Sequence, residues 1–423
     1  MRRRTFLRGA GALGMLAAPV ASRAAGKAAP HVVVIGGGYG GATAAKYLRL
    51  FSRNAIRVTL VEPNADFVSS PMSNLVLEGR LDMDDITIPY RDLRRRHGVT
   101  VVRDRALRID VPGRRVLLQG GAALAYDRVV VSPGIGFMWS RIPGMAAPRA
   151  RQTILHAWKA GPQTQALRKQ LLDMPDGGRF IITIPLAPYR CPPAPYERAC
   201  LVADYFRRHK PRSTVHIFDA NADITSQGAA FRAAWEKYYP GMIEYTPEFK
   251  AVDVDAAARK VIFEFGEEET ADVLNLIPPM RAGDIAAASG LITANGRWCE
   301  VDFLTFESIA AAGVHVLGDS IQTAPVMPKS GHMANQHGKT CAAAVAALLL
   351  QKPVNPEPVY ASTCYSFVTD SRAVHVASVH RYDPRRKTML TVPGAGGVSA
   401  APSIREGMEA MSWARAIWSD MLG

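Results

Sequence analysis

The sequence predicts an α/β protein built from two Rossmann-like three-layer domains, the first interrupted by the second, with a C-terminal α+β interface domain after them. Three observations carry that prediction. "HVVVIGGGYGGATAAKYLRLF" (31–51) reads strand, tight glycine turn, helix. A second alternation of strands and helices runs from "GGRFIITIP" (177–185) to "ADVLNLIPP" (271–279). A late strand, "GVHVLGDS" (313–320), reads as part of the first domain supplied from the other end of the chain. A length of 423 residues suits two or three domains, and a composition of 48% hydrophobic and 21% charged residues is that of a globular chain. The expected divisions are a leader at 1–24, a first domain at 25–150 resuming at 291–351, the inserted domain at 151–290 and the C-terminal domain at 352–423.

The leader, "MRRRTFLRGAGALGMLAAPVASRAAG", has a basic head, a weakly apolar stretch and small residues near a cut. Arg3-Arg4-Thr5-Phe6-Leu7-Arg8 resembles the twin-arginine export motif, which implies passage of a folded chain to the periplasm. The apolar stretch is shorter than the roughly 20 residues of a membrane span, and "CAAAVAALLL" (341–350) is likewise too short and reads as a core helix. No transmembrane segment is expected. Cleavage near Ala24 would remove five arginines and no acid, lowering the formal charge from +14 to +9. That basic surface suits an acidic protein partner or an anionic substrate. Its cations are dispersed and lack interleaved aromatics, which argues against nucleic-acid binding. None of the five cysteines stands in C-x-x-C, and no C-x-x-C-H is present to attach haem, so any haem must come from another chain.

The first element justifies itself chemically. Gly36, Gly38 and Gly41 let the backbone turn sharply and approach a pyrophosphate at the helix N-terminus. Glu62 closes the next strand, "RVTLVEPN", 21 residues after Gly41, where a carboxylate can accept hydrogen bonds from ribose hydroxyls. "YDRVVVSPG" (126–134) and "GVHVLGDS" resemble signatures of the two-dinucleotide-domain flavoproteins. That resemblance implies an FAD site assembled from both ends of the chain, with Gly318 and Asp319 at its ribityl or phosphate part.

The inserted domain contains "GGRFIITIP" and "STVHIFDAN" as parallel strands around the helix "YERACLVADYFRRH", and "ADVLNLIPP" as the strand leading out. Where its phosphate loop should stand is "LAPYRCPPAP", which has no glycine and cannot admit a pyrophosphate. Nicotinamide binding is therefore disfavoured. After the linker "KPVNPEP", the C-terminal domain reads as short strands around "YASTCYSFV" and "AVHVASVHRYD" and ends in an amphipathic helix. Its Trp413 and Trp418 are read as interface or core residues.

Taken together, "VIGGGYGGATAAKYLRL", "RCPPAPYERA", "NLIPPMRAGDIA", "FESIAAAGVHVLGDS", "MPKSGHMANQHGK" and "STCYSF" resemble the flavoprotein subunit of flavocytochrome c sulfide dehydrogenase over nearly the whole mature chain. The resemblance implies FAD, sulfide as substrate, and a c-type cytochrome subunit or soluble cytochrome c as acceptor. It places the family's redox-active disulfide on Cys191 and Cys364, which no local spacing reveals. Hydrosulfide could open such a disulfide by thiol–disulfide exchange, and the prolines after Cys191 would stiffen its loop. Glu197, at the start of a helix, is expected either to act as acid/base or merely to serve the helix dipole; Arg198 beside it reads as a solvated partner. The segment holding Lys329, Ser330 and Gly331 is expected to start a helix beside the flavin, its dipole and the Lys329 charge favouring the reduced form. His332 and His337 have no metal-site companions and are read as non-ligands.

One departure from the family pattern matters. The family's typical cysteine, which forms a thioether to a flavin ring methyl, is replaced by Ser70 in "ADFVSSPMSNLV", so FAD is expected to be held without a covalent bond. Cys200 and Cys341 read as buried helix thiols, and Cys299 as a core residue. Two other functions remain open at this point: a sulfide:quinone oxidoreductase, and a non-catalytic flavoprotein subunit or redox chaperone of a sulfur-oxidation complex. An NADH-dependent disulfide reductase is the weakest candidate, for want of the second phosphate loop.

Overall fold

The structure, a computed structural model, describes residues 28–423. The expected leader, 1–24, lies outside the described residues.

The first sheet is parallel, in the spatial order Val314–Val316, Arg128–Val131, His31–Ile35, Arg57–Val61, Thr100–Val102. Its strands are Val-rich and almost wholly buried, as expected of a parallel sheet. The helices Tyr39–Phe51 and Gly331–Leu349 pack side by side on it, so the two ends of the chain complete one layer. Gly338 permits that contact: a Cβ there would meet the Gly40 carbonyl oxygen at 2.5 Å.

The inserted domain has its own parallel sheet, Ile243–Thr246, Thr214–Asp219, Arg179–Ile184, Val273–Leu276. Its helix Ala194–His209 is buried along most of its length. The chain leaves this domain sooner than the sequence suggests. Met280–Ala282 already pairs antiparallel with Ile135–Phe137 of the first domain, and the short helix Asp284–Ala288 packs on strand Ala106–Asp110. The expected boundary at 290 is therefore about ten residues late, because a three-residue strand and a one-turn helix carry little periodicity of their own.

The C-terminal domain is an antiparallel sheet, in which Val359–Phe367 and Ala373–Asp383 pair in unbroken register, closed by the helix Ile404–Leu422. Ser403 caps that helix by accepting the Glu406 N–H. The helix folds back onto the first domain. Lys46 Nζ donates to the Ser419 carbonyl at 3.1 Å, Tyr47 Oη donates to Asp420 at 2.6 Å, and Lys339 pairs with the same carboxylate at 2.9 Å. Among the described residues, no helix is long and apolar enough to cross a membrane.

Candidate functional site

All three domains meet around one elongated cavity of about 850 Å³. One arm runs along the glycine turn. Gly36 has φ +94° and lies so close to Ser132 that a Cβ would meet the Ser132 carbonyl oxygen at 2.3 Å; at Gly41 a Cβ would meet the Gly36 carbonyl oxygen at 1.9 Å. Nothing stands within 4 Å of a Cβ at Gly38, which borders the cavity. The backbone is thus tight where it turns and bare where a ligand would lie. Glu62 is buried and also on the cavity wall. Its Oε2 accepts the Gly37 N–H at 2.7 Å, and its Oε1 accepts the backbone and side-chain N–H groups of Asn64 at 2.9 and 2.7 Å. The carboxylate braces the turn and retains lone pairs for ribose hydroxyls.

The far end of the chain supplies the facing wall. Gly318 and Asp319 follow the last strand of the first sheet, and Asp319 Oδ1 is buried with no hydrogen-bond partner. Burial raises its pKa, against the pull of Arg190 and Lys329. An unpaired buried acceptor of this kind fits a hydroxylated ligand chain. Ser330 caps the helix Gly331–Leu349 by accepting the Met333 N–H at 3.1 Å, and Ser330, Gly331 and His332 line the cavity, so the positive end of that helix borders the site. The glycine cradle, the unpaired Asp319 oxygen and an extended cavity of this size fit FAD.

Lys329 stands differently from the sequence expectation. Its side chain does not line the cavity. The ammonium, 3% exposed, donates to the carbonyls of Asp319 and Ile321 and sits 3.6 Å from the centre of the Trp298 indole. Burial lowers its pKa to about 7. What Lys329 offers the site is its backbone carbonyl, which accepts the Cys191 N–H at 2.8 Å.

Cys191 and Cys364, 173 positions apart, both line this cavity. Both are present as thiols, not as a disulfide. Cys191 has φ +58°, a conformation rare outside glycine, and is held there by the Lys329 carbonyl on its N–H and by Ala194 N–H on its own carbonyl. Cys364 sits mid-strand in Val359–Phe367. Burial raises the pKa of both thiols. For Cys364 the hydroxyls of Ser330 and Ser362 offset part of that rise, whereas Cys191 has only Arg190 to oppose burial and the nearby Cys364 and Glu197.

Glu197 lies in the first turn of helix Ala194–His209 and on the cavity wall. Its Oε2 accepts from Asn74 Nδ2 at 2.7 Å and its Oε1 from the Phe367 N–H at 2.9 Å. Burial pushes its pKa up to about 7 despite these bonds. Arg198 is not the solvated partner that the sequence suggests. It is 2% exposed and donates to Asn74, Asn275 and the carbonyls of His156 and Ala157. Ser70 also borders the cavity; its Oγ accepts from Ala160 N–H at 3.3 Å and from Arg190 at 3.4 Å.

Several wall residues gave no local signal in the sequence. Trp158 and Lys159 belong to no motif, and Asn74 and Arg190, though inside quoted segments, were given no role there; all four reach the cavity wall. Trp413, read as interface or core, borders the cavity, while Trp418 donates to the hydroxyl of cavity-lining Tyr39 at 3.1 Å.

Comparison with known proteins agrees with this architecture. Residues 30–180 match the pyridine nucleotide-disulphide oxidoreductase family. Residues 164–278 match the central part of the sulfide dehydrogenase (flavocytochrome c) flavoprotein chain, and residues 356–422 match the flavin-binding domain of flavocytochrome c sulphide dehydrogenase. A sulfide dehydrogenase (flavocytochrome c) flavoprotein chain of Chlorobaculum thiosulfatiphilum is 60% identical over 46 residues, covering 11% of this chain and 94% of that one. A mitochondrial sulfide:quinone oxidoreductase of Dictyostelium discoideum is 24% identical over 302 residues; the match covers 68% of this chain and 65% of that protein, just under two thirds of its length. The solved sulfide:quinone oxidoreductase of Aquifex aeolicus superposes with a TM-score of 0.75 at 18% identity, over 93% of this chain and 92% of that one.

Fold and cavity therefore define a two-dinucleotide-domain flavoprotein oxidoreductase. Within that class, the chain belongs to the flavocytochrome c sulfide dehydrogenase flavoprotein family.

Proposed function

We propose that this protein is an FAD-dependent sulfide dehydrogenase that works through a redox-active Cys191–Cys364 pair and delivers electrons to a c-type cytochrome. What supports this reading is that two cysteines remote in sequence line the same cavity as the glycine turn. Bound FAD would supply an acceptor for one electron pair that can be released one electron at a time. Gly36, Gly38, Gly41, Glu62 and Asp319 would hold it, and Ser70, Ser330 and Gly331 would border it. Serine at position 70 supports non-covalent binding; acid precipitation should then release flavin to the supernatant, and flavin retained in the pellet would refute it.

In the oxidised pair, hydrosulfide attacks one sulfur, forms a persulfide there and frees the other as a thiolate. The better leaving group is the sulfur whose thiolate is better stabilised. Cys364, with the Ser330 and Ser362 hydroxyls beside it, leaves, and the persulfide forms on Cys191. Glu197, with a pKa of about 7, is poised to take the proton of hydrogen sulfide or of the persulfide. The positive φ at Cys191 and its N–H bond to the Lys329 carbonyl fix the backbone that carries that sulfur.

The leader at 1–24 supports periplasmic export by the twin-arginine pathway, to be checked by cell fractionation. The decisive experiment is anaerobic: FAD-loaded protein should bleach on addition of sulfide and recover on addition of oxidised cytochrome c. Absence of bleaching would overturn the proposal. The sulfide:quinone oxidoreductase relatives support a second reading of the acceptor alone; faster reoxidation by a short-chain quinone than by cytochrome c would favour it.

A further inference from the structure

Residues 155–160 form a loop that is anchored to an unusual degree. Arg198, buried, donates to the carbonyls of His156 and Ala157, both at 2.8 Å. Asn275 Nδ2 donates to the carbonyls of Leu155 and His156 at 2.6 and 3.0 Å. Gln163 Oε1 accepts the N–H groups of His156 and Ala157 at 3.1 and 3.0 Å. Ala157 is thereby held at φ +44°. Desolvating a guanidinium to fix a loop is costly, and burial lowers the Arg198 pKa to about 9.

That rigid loop presents Trp158 and Lys159 to the cavity. Among the described residues the Lys159 ammonium has no hydrogen-bond or ion-pair partner; it lies 5.4 Å from the centre of the Phe137 ring. Arg190, next in sequence to Cys191, lies over the Trp158 ring at 5.9 Å, and among the described residues its side chain makes only the long bond to Ser70. Trp158 Nε1–H is buried and has no acceptor. Arg105 adds a further cation to this wall. Of the acids lining the cavity, Asp284, paired with Arg281 at 2.9 Å, acts on Lys159, and Asp319 faces Arg190. Desolvation, and after it repulsion from Arg190, lowers the Lys159 pKa to about 8, while Asp284 pulls the other way.

We propose that Lys159 and Arg190 form an anion subsite on the cavity wall shared with Cys191, and that it receives the hydrosulfide ion and holds it for attack. The inference rests on the sulfide-oxidising reading and adds the residues that capture the substrate. Lys159 acts on binding and positioning, whereas the cysteines carry the chemistry. An unpaired cation on the cavity wall raises the local concentration of a small anion without any covalent contact.

The test uses FAD-loaded protein and bromide as a redox-inert probe. Bromide should inhibit sulfide oxidation competitively, and anomalous diffraction from bromide-soaked crystals should place the ion within hydrogen-bond distance of Lys159 Nζ. Lys159→Met should raise KM for sulfide about tenfold with little change in kcat and abolish bromide inhibition, and Lys159→Arg should restore most of both. Unchanged KM and unchanged bromide inhibition in Lys159→Met would overturn the subsite. So would loss of FAD from that variant, which would assign Lys159 to a flavin phosphate. If wild-type protein is not bleached by sulfide, the functional proposal fails, while the crystallographic arm still decides whether the anion site exists.

Discussion

The two Rossmann units are built on the same plan and finished in opposite ways. Each has a second strand that ends in an acid followed two residues later by an asparagine. Glu62 binds the backbone and side-chain N–H groups of Asn64, and Asp219 does the same with Asn221, at 2.9 and 2.7 Å in both cases. In the first unit the carboxylate stays on the cavity wall beside a bare glycine turn. In the second it is 0% exposed, sealed by the hydroxyls of Tyr196 and Tyr245 at 2.6 and 3.2 Å, and the turn before its helix holds Cys191 and prolines. A dinucleotide-binding scaffold can thus be kept for its rigidity after its ligand-binding atoms have been consumed by internal hydrogen bonds. What the second turn contributes instead is a sulfur aimed at the first unit's cavity.

If that division of labour is right, damage to either turn should have a different signature. Cys191→Ser should leave FAD bound and lower the rate of sulfide-dependent bleaching by at least about a thousandfold, as for loss of a reacting sulfur; stopped-flow absorbance measures it. Gly41→Val should do the reverse. Its Cβ cannot coexist with the Gly36 carbonyl, so the protein should lose flavin and about 3 kcal/mol of stability, measured by flavin content and urea unfolding.

Glu197 stands where the second unit meets the C-terminal domain, and its expected effect is smaller. In the wild type, kcat/KM should rise with pH through about 7 as the base form appears. Glu197→Gln should lose that inflection and about a hundredfold in rate. The stability consequence has a definite sign. A carboxyl whose pKa is raised on folding binds more protons in the native state, so stability declines as pH climbs from the ordinary carboxylate range to about 7. Glu197→Gln should remove that decline in urea unfolding measured across pH.

The mildest effect should come from the sealed acid. Tyr196→Phe leaves Asp219 with one hydroxyl donor fewer and should cost about 1 kcal/mol, with sulfide oxidation unaffected. NADH should bleach neither this variant nor the wild type. Bleaching by NADH would break the comparison, since it requires the second unit to bind a nucleotide after all.

How much was legible in the sequence follows from the range of each interaction. The glycine turn and Glu62 lie within one strand–helix–strand unit, so their spacing alone defines a pyrophosphate cradle. Gly318-Asp319 was legible as a strand ending, and the segment holding Ser330 starts a helix as expected. Lys329 was misjudged because residue type says nothing about side-chain direction. The Trp298 indole and two carbonyls draw its ammonium behind the wall it was expected to face. Arg198 was misjudged for the same reason: its partners at 156, 157 and 275 come from segments that sequence spacing does not connect.

By itself, then, the sequence determined the class of fold and the position of the dinucleotide cradle and, through its resemblance, singled out Cys191 and Cys364 as the proposed pair. Those features rest on local geometry or on motifs that short segments carry whole. Tertiary structure alone decided what shares the cavity: Cys191 at φ +58° on the Lys329 carbonyl, Glu197 bonded to the C-terminal domain through the Phe367 N–H, and Lys159 on a loop fixed by a buried arginine. Each of those contacts joins residues more than 35 positions apart, and only packing of complete domains brings such residues within bonding distance.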